Sequence, residues 1–306
     1  MLDHSERSGL LLALAGFACL SFGDAIIKTM SGEWSPIAVA ALRFTFGAAG
    51  LSVLLYRSEG GRAFAPSRPW LQVARGVCLA GATLLFFSSI FVMPLGEATA
   101  LVFVAPIFVA LLSGPLLGER VRPAVWLASL VAFGGVLLVL RPNVAALGWI
   151  ACLPLAAALF MALLVIANRA SASRGSPLAM QAYMACVAAP ILIVAALAAK
   201  GTGADLFAFG WPDWTVVARC AAVAVTASTA HWLVFLGTTR AGASTIAPCT
   251  YIQMLVAVTL GWWWFGDVPD LATVGGAAII IGAGLFLWYR GARAVSATKG
   301  GVQLKP

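Results

Sequence analysis

GLLLALAGFACLSFGDAIIKTM, residues 9–30, carries a single acid, Asp24, and a single base, Lys28, in twenty-two positions. At 1.5 Å per residue, a helix of this length crosses about 30 Å of hydrocarbon. Comparable apolar stretches recur as far as residue 290. Of the 306 residues, 62% are hydrophobic and 10% charged, whereas about a quarter of a soluble domain is charged. So few charges cannot cover the surface of a water-soluble fold. The bilayer is the solvent, and the fold class is an all-α integral membrane protein.

Ten transmembrane helices are expected, over 9–30, 36–56, 69–92, 97–117, 122–140, 147–168, 177–199, 213–236, 242–265 and 271–290. Turn residues separate them, at Ser35-Pro36, Pro66 with Pro69, Met93-Pro94-Leu95-Gly96, Arg122-Pro123, Arg141-Pro142, Ser176-Pro177, Trp211-Pro212 and Pro269. The longest connection is about a dozen residues, too short to hide a soluble domain. Asp3 to Arg7 lead into an apolar run too long for the core of a cleaved signal peptide, so the first helix is expected to be retained.

The net charge of +8 does not point to nucleic acid, because the basic residues stand singly or in small groups between apolar runs. Their placement sets orientation instead. Thirteen Lys and Arg, among them Arg7, Arg57, Arg62, Arg120, Arg174 and Arg240, fall on the side of the N-terminus, against Lys28, Arg141 and Lys200 on the other. The basic side of a short-looped membrane protein is cytoplasmic. Both termini are therefore expected in the cytoplasm, in a bacterial inner (plasma) membrane. Cys19, Cys78, Cys152, Cys186, Cys220 and Cys249 all lie in apolar segments without ligand spacing. They read as packing residues, and neither a metal nor a cofactor is expected.

The two halves echo each other. Ser35-Pro36-Ile37-Ala38 matches Ser176-Pro177-Leu178-Ala179; Trp70 to Arg75 matches Trp214 to Arg219; Leu117-Gly118-Glu119 matches Phe265-Gly266-Asp267. The order is kept, with repeats over 1–141 (helices 1–5) and 142–306 (helices 6–10 and a cytoplasmic tail). Five is odd, so the second unit inserts upside down. Inverted repeats let a carrier exchange inward and outward forms around a midplane site.

These residues also carry a family resemblance along essentially the whole chain. In the first half they are Arg75-Gly76, Phe86-Phe87, Met93-Pro94-Leu95-Gly96-Glu97-Ala98, Pro106, Leu117-Gly118-Glu119, Gly134-Gly135-Val136 and Arg141-Pro142. In the second half they are Ala247-Pro248, Tyr251, Gln253, Phe265-Gly266-Asp267, Pro269-Asp270 and the Gly-rich last span. The ordered set resembles an EamA-type member of the drug/metabolite transporter (DMT) superfamily. Asp267 stands where Glu is usual, a conservative departure. The resemblance implies ten helices, cytoplasmic termini and a central substrate cavity, and leaves the cargo open.

Ionisable groups at membrane depth are costly and mark functional sites. Asp24 and Arg43 lie at similar depth on adjacent helices. Either they form a packing ion pair, or Asp24 faces the ammonium and Arg43 the carboxylate of a zwitterionic substrate. Neither has a charged counterpart in the other repeat, where Val165 and Met184 stand opposite. Tyr251 and Gln253, near the middle of helix 9, are the other substrate-binding candidates, with polar contact between helices as the competing account.

Lys28, Arg75, Arg219 and His231 are candidates for gating or coupling. Against that, Lys28 can snorkel to the interface or pair with Asp24 at i,i+4, and Arg75 and Arg219 can anchor at the interface behind Trp70 and Trp214. His231 can simply pack with a hydrogen bond. Trp262-Trp263-Trp264 reads as an interfacial aromatic belt, and Phe86-Phe87 as core. Gly275, Ala278 and Gly282 suit close helix contacts and also a homodimer.

The leading expectation is a secondary transporter that moves a small polar or amphipathic metabolite by alternating access, with an amino acid or amino-acid derivative as cargo. The alternative cargo is an aromatic vitamin or drug-like compound. An alternative of another class is a non-transporting sensor or assembly partner. No phosphate-binding loop, HExxH or GxSxG motif occurs, so ATP drive by this chain and an enzyme are not expected.

Overall fold

The computed structural model describes residues 4–117, 123–171, 176–203, 207–241 and 247–301. Asp3, Gly118, Glu119, Arg120, Arg122 and Arg174, used above, lie outside them. The described residues form α1 (His4–Lys28), α2 (Pro36–Glu59), α3 (Pro69–Val92), α4 (Leu95–Val102), α5 (Ala105–Leu117) and α6 (Pro123–Leu147). These are followed by α7 (Leu153–Ser171), α8 (Pro177–Lys200), α9 (Trp214–Ala241), α10 (Ile252–Phe265) and α11 (Leu271–Gly301). Among the described residues there is no strand, and seven helical segments are long and apolar enough to cross a membrane. Trp126–Leu140 and Leu271–Phe286 are apolar but shorter.

Helix starts follow the sequence signals. Pro36, Pro69 and Pro177 each open a helix in the first turn, where the missing N–H costs nothing. Ser176 caps α8 by accepting from the Ala179 amide, and Asp270 caps α11 by accepting from the Thr273 amide at 2.7 Å. The Thr273 hydroxyl and the Thr273 amide together hold the Asp270 carboxyl below the usual carboxylate range.

Two expected helices are interrupted. The fourth breaks at Phe103 and Val104, just before Pro106, which cannot donate to the carbonyl four residues back. The ninth begins as a 3-10 turn, Ala247–Tyr251, containing Pro248. Each irregular stretch carries an Ala-Pro step, Ala105-Pro106 in one and Ala247-Pro248 in the other. The fifth runs past Arg141-Pro142 to Leu147, and the sixth starts late, after a 3-10 segment entered through Gly148 at φ +63°.

Close helix pairs hold the bundle. α1 packs along α9, α3 along α7 and α8, α2 along α8, and α6 along α11. Glycine sets the closest seams. A Cβ at Gly16 would stand 2.8 Å from the Ala230 carbonyl, and one at Gly237 2.7 Å from the Gly9 carbonyl. Gly135 and Gly276 face each other, each blocking a Cβ on the other with its carbonyl at 2.6–2.7 Å. Short α4 lies in the middle, with Leu95 through Leu101 all buried. Gly96 on α4 leaves room for Val258 of α10.

Candidate functional site

Asp24 follows Ser21 by one turn on α1, and the Ser21 hydroxyl donates to the Gln253 carbonyl at 2.6 Å. That bond sets α1 against the start of α10. Asp24 lies within Coulombic range of Arg43 on α2. Among the described residues neither makes an ion pair or a side-chain hydrogen bond. The Arg43 guanidinium lies instead over aromatic faces, 4.8 Å from the Phe44 ring centroid and 5.4 Å from that of Phe87. Both charged side chains are half-buried. They are brought together, but left unpaired.

His231 on α9 is exposed, and its ring lies within Coulombic range of Arg43. Its Nδ1 is 2.7 Å from the Ala227 carbonyl, so Nδ1–H donates and Nε2 is the acceptor. The structure thus adds His231 to the Asp24–Arg43 neighbourhood, a placement that sequence spacing alone did not single out.

Arg43, Gly47, Gly50 and Leu54 follow at i, i+4, i+7 and i+11, one face of α2. A Cβ added at Gly47 or Gly50 meets no atom within 4 Å, and Leu54 is 53% exposed. An uncovered strip therefore runs from Arg43 toward the end of α2 next to the Arg62 loop. Two open cavities lie elsewhere. One, of about 350 Å³, is apolar and lined by Val104, Phe108, Trp126 and Phe133; the other, of about 460 Å³, lies among Glu33, Trp34, Lys200 and Phe209. Neither includes Asp24 or Arg43, and the apolar lining of the first offers no partner to a charged molecule.

Tyr251 stacks on Phe103 with centroids 5.3 Å apart, so the two interrupted helices meet through aromatic rings at their breaks. Its hydroxyl lies against Gly284 of α11, where any side chain would collide with it. Gln253 is turned to local use, with Oε1 3.4 Å from the Thr250 hydroxyl.

The remaining candidates lie at the two ends. Lys28 does not snorkel freely. Its Nζ is 2.6 Å from Asp267 Oδ2 and 3.2 Å from the Met93 carbonyl, and its side chain is 12% exposed. Arg75 is buried, at 4% exposure, and bonds Asn168 Oδ1 at 2.6 Å together with Gln72. It therefore ties α3 to α7, and an interfacial anchor would not be so enclosed. Arg219 pairs with Glu33 and also donates to the Thr29 carbonyl at 3.2 Å. Glu97, quoted above only as part of a motif, is buried near Thr273 at 3.4 Å. Its signal was its position three residues after Pro94, at the head of a helix expected to start at the interface.

A bundle of apolar helices around an unpaired internal acid and base is the build of a multi-pass membrane protein with a polar internal site. The chain belongs to the EamA-like transporter family, whose model matches residues 7–141 and again residues 148–301. It is thereby a transporter of the DMT superfamily and not an enzyme. It is 26% identical to the riboflavin transporter of Rhizobium johnstonii, over 91% of this chain and 89% of that one. It is 26% identical to the S-adenosylmethionine uptake transporter of Rickettsia prowazekii, over 94% and 95%. It is 27% identical to the pseudopaline exporter CntI of Pseudomonas aeruginosa, over 90% and 94%. A protein of known crystal structure shares the fold at a TM-score of 0.62 and 20% identity, covering 92% of this chain and 97% of that one.

Proposed function

We propose that this transporter is a secondary carrier that moves a zwitterionic metabolite, an amino acid or amino-acid derivative, across the bacterial inner membrane by alternating access. Ten spans in two inverted repeats, 1–141 and 142–306, with both termini cytoplasmic, form the frame. The family model's two successive matches support the repeat. The observation that carries the cargo reading is Asp24 and Arg43, close inside the bundle yet without an ion pair. Two such charges left apart hold places for the opposite charges of a substrate. Asp24 takes the ammonium, Arg43 forks onto the carboxylate, and His231 Nε2 lies within the same neighbourhood. Tyr251 lines the centre through its ring. S-adenosylmethionine, the cargo for which one relative is named, is itself an amino-acid derivative.

The rings of Phe44 and Phe87 around Arg43 favour a second reading, a flat aromatic vitamin, in keeping with the riboflavin transporter among the relatives. Proteoliposome uptake of radiolabelled amino acids, S-adenosylmethionine and riboflavin separates these readings. Saturable flux of a zwitterion is the expected result. Flux of riboflavin alone would move the assignment to the second reading, and binding without any flux would make the protein a sensor.

A further inference from the structure

Arg75 and Arg219 stand at matching places, each five residues after a tryptophan in the first turn of its helix, Trp70 in α3 and Trp214 in α9. The helices that carry them exchange partners in the same way. α3 packs against α7 and α8, and α9 against α1 and α2. In each stretch matched by the family model, the third helix thus lies on the first two helices of the other stretch.

The contacts repeat in detail. Arg219 forks onto the Glu33 carboxylate and donates to the Thr29 carbonyl at 3.2 Å, just past the end of α1. Arg75 donates to Asn168 Oδ1 at 2.6 Å, in the last turn of α7. Thr29 stands six residues before Ser35, and Asn168 eight before Ser176. The second helix of the other stretch is reached as well. Arg75 Nη1 lies 3.4 Å from the Met180 carbonyl, and Cys220, next to Arg219, has its Sγ 4.0 Å from the Val39 carbonyl. Val39 and Met180 each follow their serine, Ser35 or Ser176, by four residues.

The two sets lie at opposite ends of the bundle. Trp34, at the start of α2, donates from its indole to the Gly210 carbonyl at 3.1 Å, on the side of Arg219. At the other end of α2, Glu59 accepts from the Ser176 hydroxyl and Tyr183 donates to the Ala63 carbonyl, on the side of Arg75. Both ends are therefore tied across the two stretches, but by different chemistry. Arg75 is 4% exposed, and among the described residues its partners are the neutral groups of Asn168, Gln72 and Met180. Arg219 and Glu33 keep 26% and 47% of their side chains exposed, so water and salt compete for that ion pair.

We infer that Arg75 and Arg219 are equivalent clamps, one at each end of the bundle, and that a transport cycle releases one while the other holds. The inference rests on the carrier reading above and names the two ties that alternating access must open in turn. Both are positioning residues, acting through the helices they join. Releasing both at once would strand the buried Arg75 charge in addition to parting Arg219 from Glu33, so states with one clamp closed are favoured. Each release exchanges hydrogen bonds for hydration, and no covalent bond is made or broken.

Hydrogen–deuterium exchange on the full chain in nanodiscs, without substrate, tests the coupling. In Arg219→Gln, amides of 27–34 and 214–220 should exchange about fivefold faster, the upper range for a partly exposed ion pair. Amides of 72–78 and 165–171 should slow in the same sample, because a population shifted toward one open end samples the other less. Arg75→Gln should give the reverse pattern, with about tenfold faster exchange at its own end, its bonds being buried. Raising salt from about 0.05 M to about 1 M should act on the unaltered chain as Arg219→Gln does, since that clamp is the one exposed to ions. Loosening confined to the altered end, loosening at both ends, or no change overturns the paired clamps and leaves two static ties. Should Arg75→Gln fail to insert, Asn168→Ala removes the same bond from α7. Reciprocal exchange in a protein that carries no cargo would sink the carrier reading and leave the clamps standing.

Discussion

Arg43 keeps a charge inside an apolar bundle without a carboxylate in contact, and the rings of Phe44 and Phe87 take part of that burden. Cation–π contacts of this kind contribute about 0.5–2 kcal/mol, well short of what a buried ion needs. On the proposed reading, a substrate carboxylate at Arg43 offsets the shortfall. Asp24→Asn and Arg43→Gln are each expected to abolish flux while leaving the melting temperature close to the parent value. Each removes a contact worth about 1.5–3 kcal/mol, or about ten- to a hundredfold in affinity. A structural pair behaves otherwise: each single change then costs about 3–5 kcal/mol and the double neutral variant recovers. Restored transport in the double variant would sink the binding assignment.

At the scale of helices, backbone proximity decides what each seam tolerates. Gly9, Gly16 and Gly23 recur every seven residues on α1, and all three face α9. Gly16→Ala puts a methyl against the Ala230 carbonyl, which is backbone and cannot swing aside. About 1–3 kcal/mol of lost stability is expected, read as a lower melting temperature, whereas Gly50→Ala should be silent. The same physics explains which elements were legible beforehand. Helix ends marked by proline or serine, such as Pro69 and Ser176, fall where expected because the local chain dictates them. The break at Phe103–Val104 was hidden, because Pro106 within a helix is tolerated in some packing environments and disruptive in others. Lys28 was misjudged for a related reason. Snorkelling is read from one helix, while its true partners lie 65 and 239 residues away.

On the scale of the whole molecule, the charge asymmetry makes the orientation testable. Reporter fusions at Arg62 should read cytoplasmic and fusions at Gly203 periplasmic. A cytoplasmic signal at Gly203 would make the two halves parallel and remove the basis for an inverted repeat. Hydropathy revealed the bilayer and most helix positions, since these depend on summed composition. It placed Asp24 and Arg43 at one depth, but not His231 beside them. That juxtaposition depends on how α9 rotates against α2, which is set by seams such as Gly16 against Ala230.

Those seams bear on how such a protein changes over generations. Backbone contact at Gly16, Gly135, Gly237 and Gly276 sets the spacing of the helices, so the bulk of the side chains around the charged site does not. A substitution beside Arg43 therefore reshapes the space for cargo without prising the helices apart. Relatives about a quarter identical over nearly their whole length, named for riboflavin, S-adenosylmethionine and pseudopaline, are the spread of cargoes such a frame permits.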